Sequence, residues 1–84
     1  SLSPAYPNPF NPQTRIEYGV AEDGYVKVAV YDMQGREVAV LVESNHSPGY
    51  HSVSWNASAF SSGVYLIKMD SRQFSDLQKI MLIK

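Results

Sequence analysis

Cysteine is absent from all 84 residues, which excludes a disulfide framework and a thiolate zinc site, two devices on which small exported domains often depend. Packing alone must hold the chain together. Compartment stays open, because exported bacterial proteins also manage without disulfides. Nowhere do 18 apolar residues run together, and the opening Ser1-Leu2-Ser3-Pro4-Ala5-Tyr6-Pro7 lacks the basic start and apolar stretch of a signal peptide. Stable membrane insertion is not expected, and export requires carriage inside a larger protein. Charged residues make up only 18% and sum to −1, which argues against a nucleic-acid surface, since phosphate binding normally demands a basic patch. No run keeps a 3.6-residue period and no internal repeat is visible, so helix is expected to be nearly absent.

The residues that do chemistry are equally sparse. Eleven serines stand beside only two histidines, His46 and His51, and there is no G-x-S-x-G elbow, so no nucleophile and base are assembled. The two histidines are five apart across an expected turn into a strand, which does not match a common two-histidine zinc arrangement, and no third ligand stands nearby. Glu22 and Asp23 are adjacent acids in a turn ending at Gly24, where carboxylates are usually solvated. The five glycines are scattered singly, so no loop cradles a phosphate. Asn56-Ala57-Ser58 matches the glycosylation sequon, a pattern short enough to arise by chance. The chain is read as non-catalytic, without metal or cofactor.

What is present is an ordinary globular composition, with 44% hydrophobic residues, in a length that fits one domain. A chain this small buries only about 60% of the surface its unfolded form exposes, so the core must be economical. Four of the five prolines fall before residue 13. Pro7-Asn8-Pro9-Phe10-Asn11-Pro12 cannot form a helix or a central strand, because proline fixes φ, removes a donor and biases its predecessor toward extended backbone. Residues 1–13 are therefore read as an extended lead-in packed on the domain of residues 14–84, with Tyr6 and above all Phe10 as its side-chain anchors.

From residue 14 onward short alternating runs are punctuated by turn residues, the signature of an all-β chain. Residues 15–20 alternate Ile16, Tyr18 and Val20 with Arg15 and Glu17. After Glu22-Asp23-Gly24, residues 25–32 place Val26, Val28 and Val30 on a core face and Tyr25, Lys27, Ala29 and Tyr31 on the other. Asp32-Met33-Gln34-Gly35 reads as a hairpin turn in which the aspartate accepts backbone N–H bonds. In residues 36–43 the interleaving of Val38, Val40 and Val42 with Ala39 and Leu41 defeats a simple period, which allows for a bulge. A polar loop is expected at 44–48, then a strand at 49–56 with Val53 and Trp55 inward and a loop at 57–63. Residues 64–70 form a strand with Tyr65, Ile67 and Met69 facing the core. A turn at 70–73 leads to a last strand at 74–84, apolar on both faces. Six strands, with a seventh from the lead-in, fit a two-sheet antiparallel β-sandwich of immunoglobulin or fibronectin type III size.

Charge is divided along the chain. Residues 1–66 carry Arg15, Lys27 and Arg36 against Glu17, Glu22, Asp23, Asp32, Glu37 and Glu43, whereas residues 67–84 carry Lys68, Arg72, Lys79 and Lys84 against Asp70 and Asp76. The C-terminal end is the cationic one. Its last strand, Lys79-Ile80-Met81-Leu82-Ile83-Lys84, offers backbone groups for strand addition with Lys79 and Lys84 complementing an acidic receptor. Alternatively, Ile80 and Leu82 fill the core while the lysines protect an edge. Trp55 with Tyr25, Tyr31 and Tyr50 could form a sugar platform, although tryptophan is heavily buried on average.

Tyr6–Tyr18 reads Y-P-N-P-F-N-P-Q-T-R-I-E-Y, followed by V-K-V-A-V-Y-D-M-Q-G-R-E-V (Val26–Val38), G-Y-H-S-V-S-W-N, S-G-V-Y-L-I-K-M and K-I-M-L-I-K. In this order the blocks closely resemble the C-terminal sorting domain of type IX secretion cargo from Bacteroidetes and related bacteria. The resemblance implies a module at the C-terminus of a larger exported protein, carried to the periplasm by the parent's signal peptide and then recognised by the outer-membrane translocon. A sortase-like peptidase would remove it by a cut upstream of the sandwich, leaving the parent at the cell surface or released. The family's signal-bearing blocks fall on Ser62, Gly63, Val64 and Tyr65 and on Lys79, Ile80, Met81, Leu82, Ile83 and Lys84. Tyr31, Asp32, Gly35 and Arg36 match a further block whose chemistry a hairpin turn explains. The other reading is a structural or carbohydrate-binding immunoglobulin-like accessory module.

Overall fold

Period-two alternation organises the backbone into antiparallel ladders. The computed structural model describes residues 1–72 and 74–84, and in them six strands follow in order: β1 (Gln13–Val20), β2 (Gly24–Tyr31), β3 (Glu37–His46), β4 (Gly49–Asn56), β5 (Gly63–Asp70) and β6 (Ser75–Leu82). β1 pairs with β4 in one sheet, and the other sheet runs β3-β2-β5-β6, all neighbours antiparallel. The sandwich core lies between the sheets. From the larger sheet come Val26, Val28, Val30, Ile67, Met69, Ile80 and Leu82, each with at most 1% of its surface exposed. Ile16, Tyr18 and Trp55 from the smaller sheet meet them, with Val53 half-buried beside them.

β3 resists a simple reading of its faces because it holds two extra residues. Val28 pairs with Val42 and Ala29 with Val40, so Leu41 is bulged, and Val30 pairs with Ala39 while Tyr31 pairs with Glu37, so Val38 is bulged. The loop expected at 44–48 is shorter than that. Ser44, Asn45 and His46 continue β3 by pairing with Val26, Tyr25 and Gly24, because polar side chains are no obstacle at an exposed hairpin end. Only Ser47 and Pro48 connect β3 to β4. The turn expected at 70–73 includes Gln73, which lies outside the described residues; the Ser71 N–H donates to the Phe74 carbonyl at 2.9 Å. β6 stops at Leu82, two residues short of the expected end.

On the outer face of the larger sheet, Ala29 is only 1% exposed. Lys27 and Tyr31, its neighbours on that face, both reach the Glu37 carboxylate, the Lys27 ammonium at 2.8 Å and the Tyr31 hydroxyl at 3.3 Å. The pair spans the alanine between them. The lead-in supplies no continuous seventh strand. It touches the sheets through isolated bridges at Leu2, Tyr6 and Phe10. Phe10 is buried at 2%, but the Tyr6 side chain is 81% exposed. Tyr6 anchors through its backbone, exchanging hydrogen bonds with Arg15, while Ala5 supplies the buried side chain.

The β2–β3 turn is held by Asp32. One carboxylate oxygen accepts the Gln34 and Arg36 amides at 2.9 and 3.0 Å, and the other meets Arg36 Nε at 2.9 Å. Gly35 takes φ of +86°, a left-handed conformation that costs glycine little. The Arg36 amide, then its guanidinium and the Gln34 amide, hold the Asp32 carboxyl below its ordinary value. A lowered folded-state value means the stabilisation is present above the ordinary aspartate value and is lost as pH falls from there through the lowered folded-state value. The stability difference between wild type and Asp32→Asn should therefore shrink as pH drops below about 4, measured by urea denaturation at successive pH values.

Candidate functional site

Two blocks separated in sequence become neighbours through the β5–β6 ladder. Gly63 pairs with Leu82, Val64 with Met81 and Tyr65 with Ile80. Alternation then divides their side chains. Tyr65, Ile80 and Leu82 face the core. Val64, Met81 and Lys79 face outward, together with Leu77 and Leu66. Leu77 is 55% exposed and Met81 41%. Lys79 lies exposed between them, and no hydrogen bond or ion pair holds its ammonium among the described residues.

Lys84 is different. Its ammonium donates to the carbonyls of Ser58 and Phe60 at 2.8 and 2.7 Å, and its backbone N–H donates to the Ser62 hydroxyl at 3.0 Å. The Tyr65 hydroxyl reaches the same loop, donating to the Ser61 carbonyl at 2.7 Å. Under that loop Trp55 is enclosed by Phe10, Phe60 and Tyr65, at ring-centroid distances of 5.7, 5.4 and 5.5 Å. Lys84 thus closes the loop over the aromatic cluster rather than presenting a free charge. Trp55 is only 4% exposed and cannot offer its face to a sugar.

The outer edge of β6 is covered by the lead-in. The Phe10 N–H donates to the Met81 carbonyl at 2.9 Å, and the Ile83 N–H donates to the Phe10 carbonyl at 2.9 Å. Asn8 acts as a side-chain substitute for a strand: its Oδ1 accepts the Met81 N–H at 3.0 Å and its Nδ2 donates to the Lys79 carbonyl at 3.2 Å. Gln78 reaches back, accepting the Ala5 N–H at 2.8 Å and donating to the Ser3 carbonyl at 2.7 Å. Strand addition at this edge is therefore blocked while the lead-in is seated. Asn8 and Gln78 were not expected to matter. Their only signal in the sequence is a polar amide within a proline-rich run and another at an outward-reaching strand position.

His46 and His51 do meet, with ring centroids 4.7 Å apart beside Tyr18. Each ring has a nitrogen directed at a backbone carbonyl, His46 at Ser44 and His51 at Ser47. Carbonyls only accept, so those nitrogens carry the protons, and the other His46 nitrogen lies 2.8 Å from the Tyr18 hydroxyl. Burial pushes the Tyr18 phenol up. Among the described residues, no group of three His, Cys, Asp or Glu is placed to hold a metal ion.

The model of the secretion system C-terminal sorting domain matches residues 4–84, nearly the whole chain. The chain belongs to that family. No curated protein and no solved structure matches it. Membership defines its work as a non-catalytic sorting signal for type IX secretion, associated with surface or extracellular delivery. No helix among the described residues is long and apolar enough to cross a membrane. The β5–β6 block, where Val64 stands opposite Met81, is the candidate site.

Proposed function

We propose that the sorting domain is read by the outer-membrane translocon through the outward face of the β5–β6 block, centred on Lys79 with Val64, Met81 and Ile83. The observation that carries this reading is the Lys79 ammonium, without a hydrogen bond or ion pair among the described residues, set beside the exposed Leu77 and Met81 on a paired strand. Such a patch offers a receptor both apolar area and a charge for an acidic group. Gly63, Tyr65, Ile80, Leu82 and Lys84 serve the same site indirectly, by fixing the ladder and the loop beside it. In this reading the domain works in the periplasm, attached to a parent protein, and a sortase-like peptidase then cuts upstream of the sandwich. Its order of strands, with the Tyr65 hydroxyl bonded four residues upstream at the corner between β4 and β5, supports an immunoglobulin or fibronectin type III kinship.

Residues 1–84 fused to a periplasmic reporter test the proposal in a host with a working type IX system. The fusion should reach the surface or medium, and Lys79→Glu should retain it in the cell while leaving unfolding within about 0.5 kcal/mol of wild type. Lys84→Ala should lower the unfolding midpoint, because it releases the loop carbonyls. Undiminished export of Lys79→Glu would move recognition off this face.

A further inference from the structure

Two sheets have four outer edges, and three of them are protected. The lead-in covers β1 through residues 1–6 and β6 through residues 8–10. β3 is interrupted by the bulges at Val38 and Leu41. Such coverings and bulges are the usual means of keeping an edge from pairing with another chain. β4 has none of them.

The side from which β4 is open follows from the ladder. The lead-in bonds to Arg15, Glu17 and Gly19 of β1. Backbone polar groups of successive strand residues point to opposite sides, so Thr14, Ile16, Tyr18 and Val20 bond to their partners Trp55, Val53, His51 and Gly49. Tyr50, Ser52 and Ser54 consequently turn their N–H and C=O groups away from β1. All three residues are exposed, β4 pairs with no other strand, and no backbone partner meets these groups among the described residues. Between Gly49 and Asn56 there is no lysine, arginine, acid or proline, the residues that normally discourage edge pairing.

We propose that this edge binds a second copy of the chain, the two β4 strands pairing antiparallel about a two-fold axis to form a continuous sheet in the order β1-β4-β4-β1. An isologous contact must tolerate itself. β4 itself carries no acid, lysine or arginine; the cation nearest the edge is Arg15, which donates to the Ser52 hydroxyl at 3.2 Å and is balanced by Glu17 at 3.6 Å, and the net charge of −1 does not oppose association. Serine side chains at 52 and 54 are small enough for close approach. The half-buried Val53 gains cover. An interface of one strand pair falls below the roughly 1,200 Å² of standard complexes, so the dimer is weak, in the micromolar range or above.

Sedimentation equilibrium of residues 1–84, with residue-resolved amide exchange, tests this. The average mass should climb from 9.4 kDa toward twice that value as concentration rises, and the Ser52 and Ser54 amides should exchange more slowly in step. Ser54→Pro removes an outward N–H without touching a bond to β1, and proline is tolerated at such edge positions. It should weaken association by about tenfold or more. Ser52→Lys places two cations near the axis without constraining the backbone, and should weaken association most at low salt. A monomer at every concentration up to about 1 mM, or a dimer indifferent to both substitutions, overturns the proposal. Neither outcome bears on export, so this result and that of the reporter fusion remain separate.

Discussion

Phe10→Ala is expected to cost about 3–5 kcal/mol of folding stability and to uncover the outer edge of β6. Both effects come from one residue because Phe10 joins two kinds of contact. Its ring is 2% exposed and packs against Trp55, so truncation leaves a cavity under the aromatic cluster. Its amide and carbonyl close the edge at Met81 and Ile83, and those bonds depend on the ring to hold an extended segment that has no continuous ladder of its own. A domain of this size has about 5–15 kcal/mol in all, so the variant should be marginal. Urea denaturation followed by fluorescence of Trp55, the single tryptophan, measures the loss. Faster exchange of the Ile83 amide in the folded variant measures the uncovering. Tyr6→Ala is the control, since that side chain is largely exposed and should change stability by less than about 0.5 kcal/mol. A Phe10→Ala loss no greater than that of the control would mean that the lead-in is held by its backbone alone.

How far such contacts can be read from sequence depends on whether they leave a periodic trace. The inward faces of β2 and β5 were legible because Val26, Val28 and Val30, and Tyr65, Ile67 and Met69, alternate over one buried face, which also pins register. β3 was not, because Leu41 and Val38 are inserted against the period. The prolines announced an extended lead-in, but not that Asn8 would take the place of a strand along β6. Bonds between a side chain and a backbone group some seventy residues away follow no local rule. The blocks at 62–65 and 79–84 could be located from family resemblance, yet their adjacency belongs to the register of Val64 opposite Met81. The opposed roles of the two terminal lysines also lay out of reach. Lys79 and Lys84 carry the same charge, and only the loop carbonyls of Ser58 and Phe60 distinguish them.

Adjacent positions on β6 should separate folding from recognition. Ile80 is 1% exposed in the core, opposite Tyr65, and Ile80→Ala should cost about 2–5 kcal/mol through lost transfer energy and a cavity. Export should then fail together with the fold. Met81 is the next residue, but its side chain stands outward and 41% exposed. Its backbone bonds to Asn8 and Phe10 survive any side-chain change. Met81→Asp should therefore alter stability only slightly while opposing an acidic receptor beside Lys79, and export should drop although the domain remains folded. Paired denaturation and secretion measurements on the two variants distinguish a site from its support. If Met81→Asp is exported like wild type while Ile80→Ala is retained, the terminal strand contributes to sorting only by completing the sandwich. The reverse separation, a folded Met81→Asp domain that stays in the cell, locates the signal on the outward face that alternation leaves free.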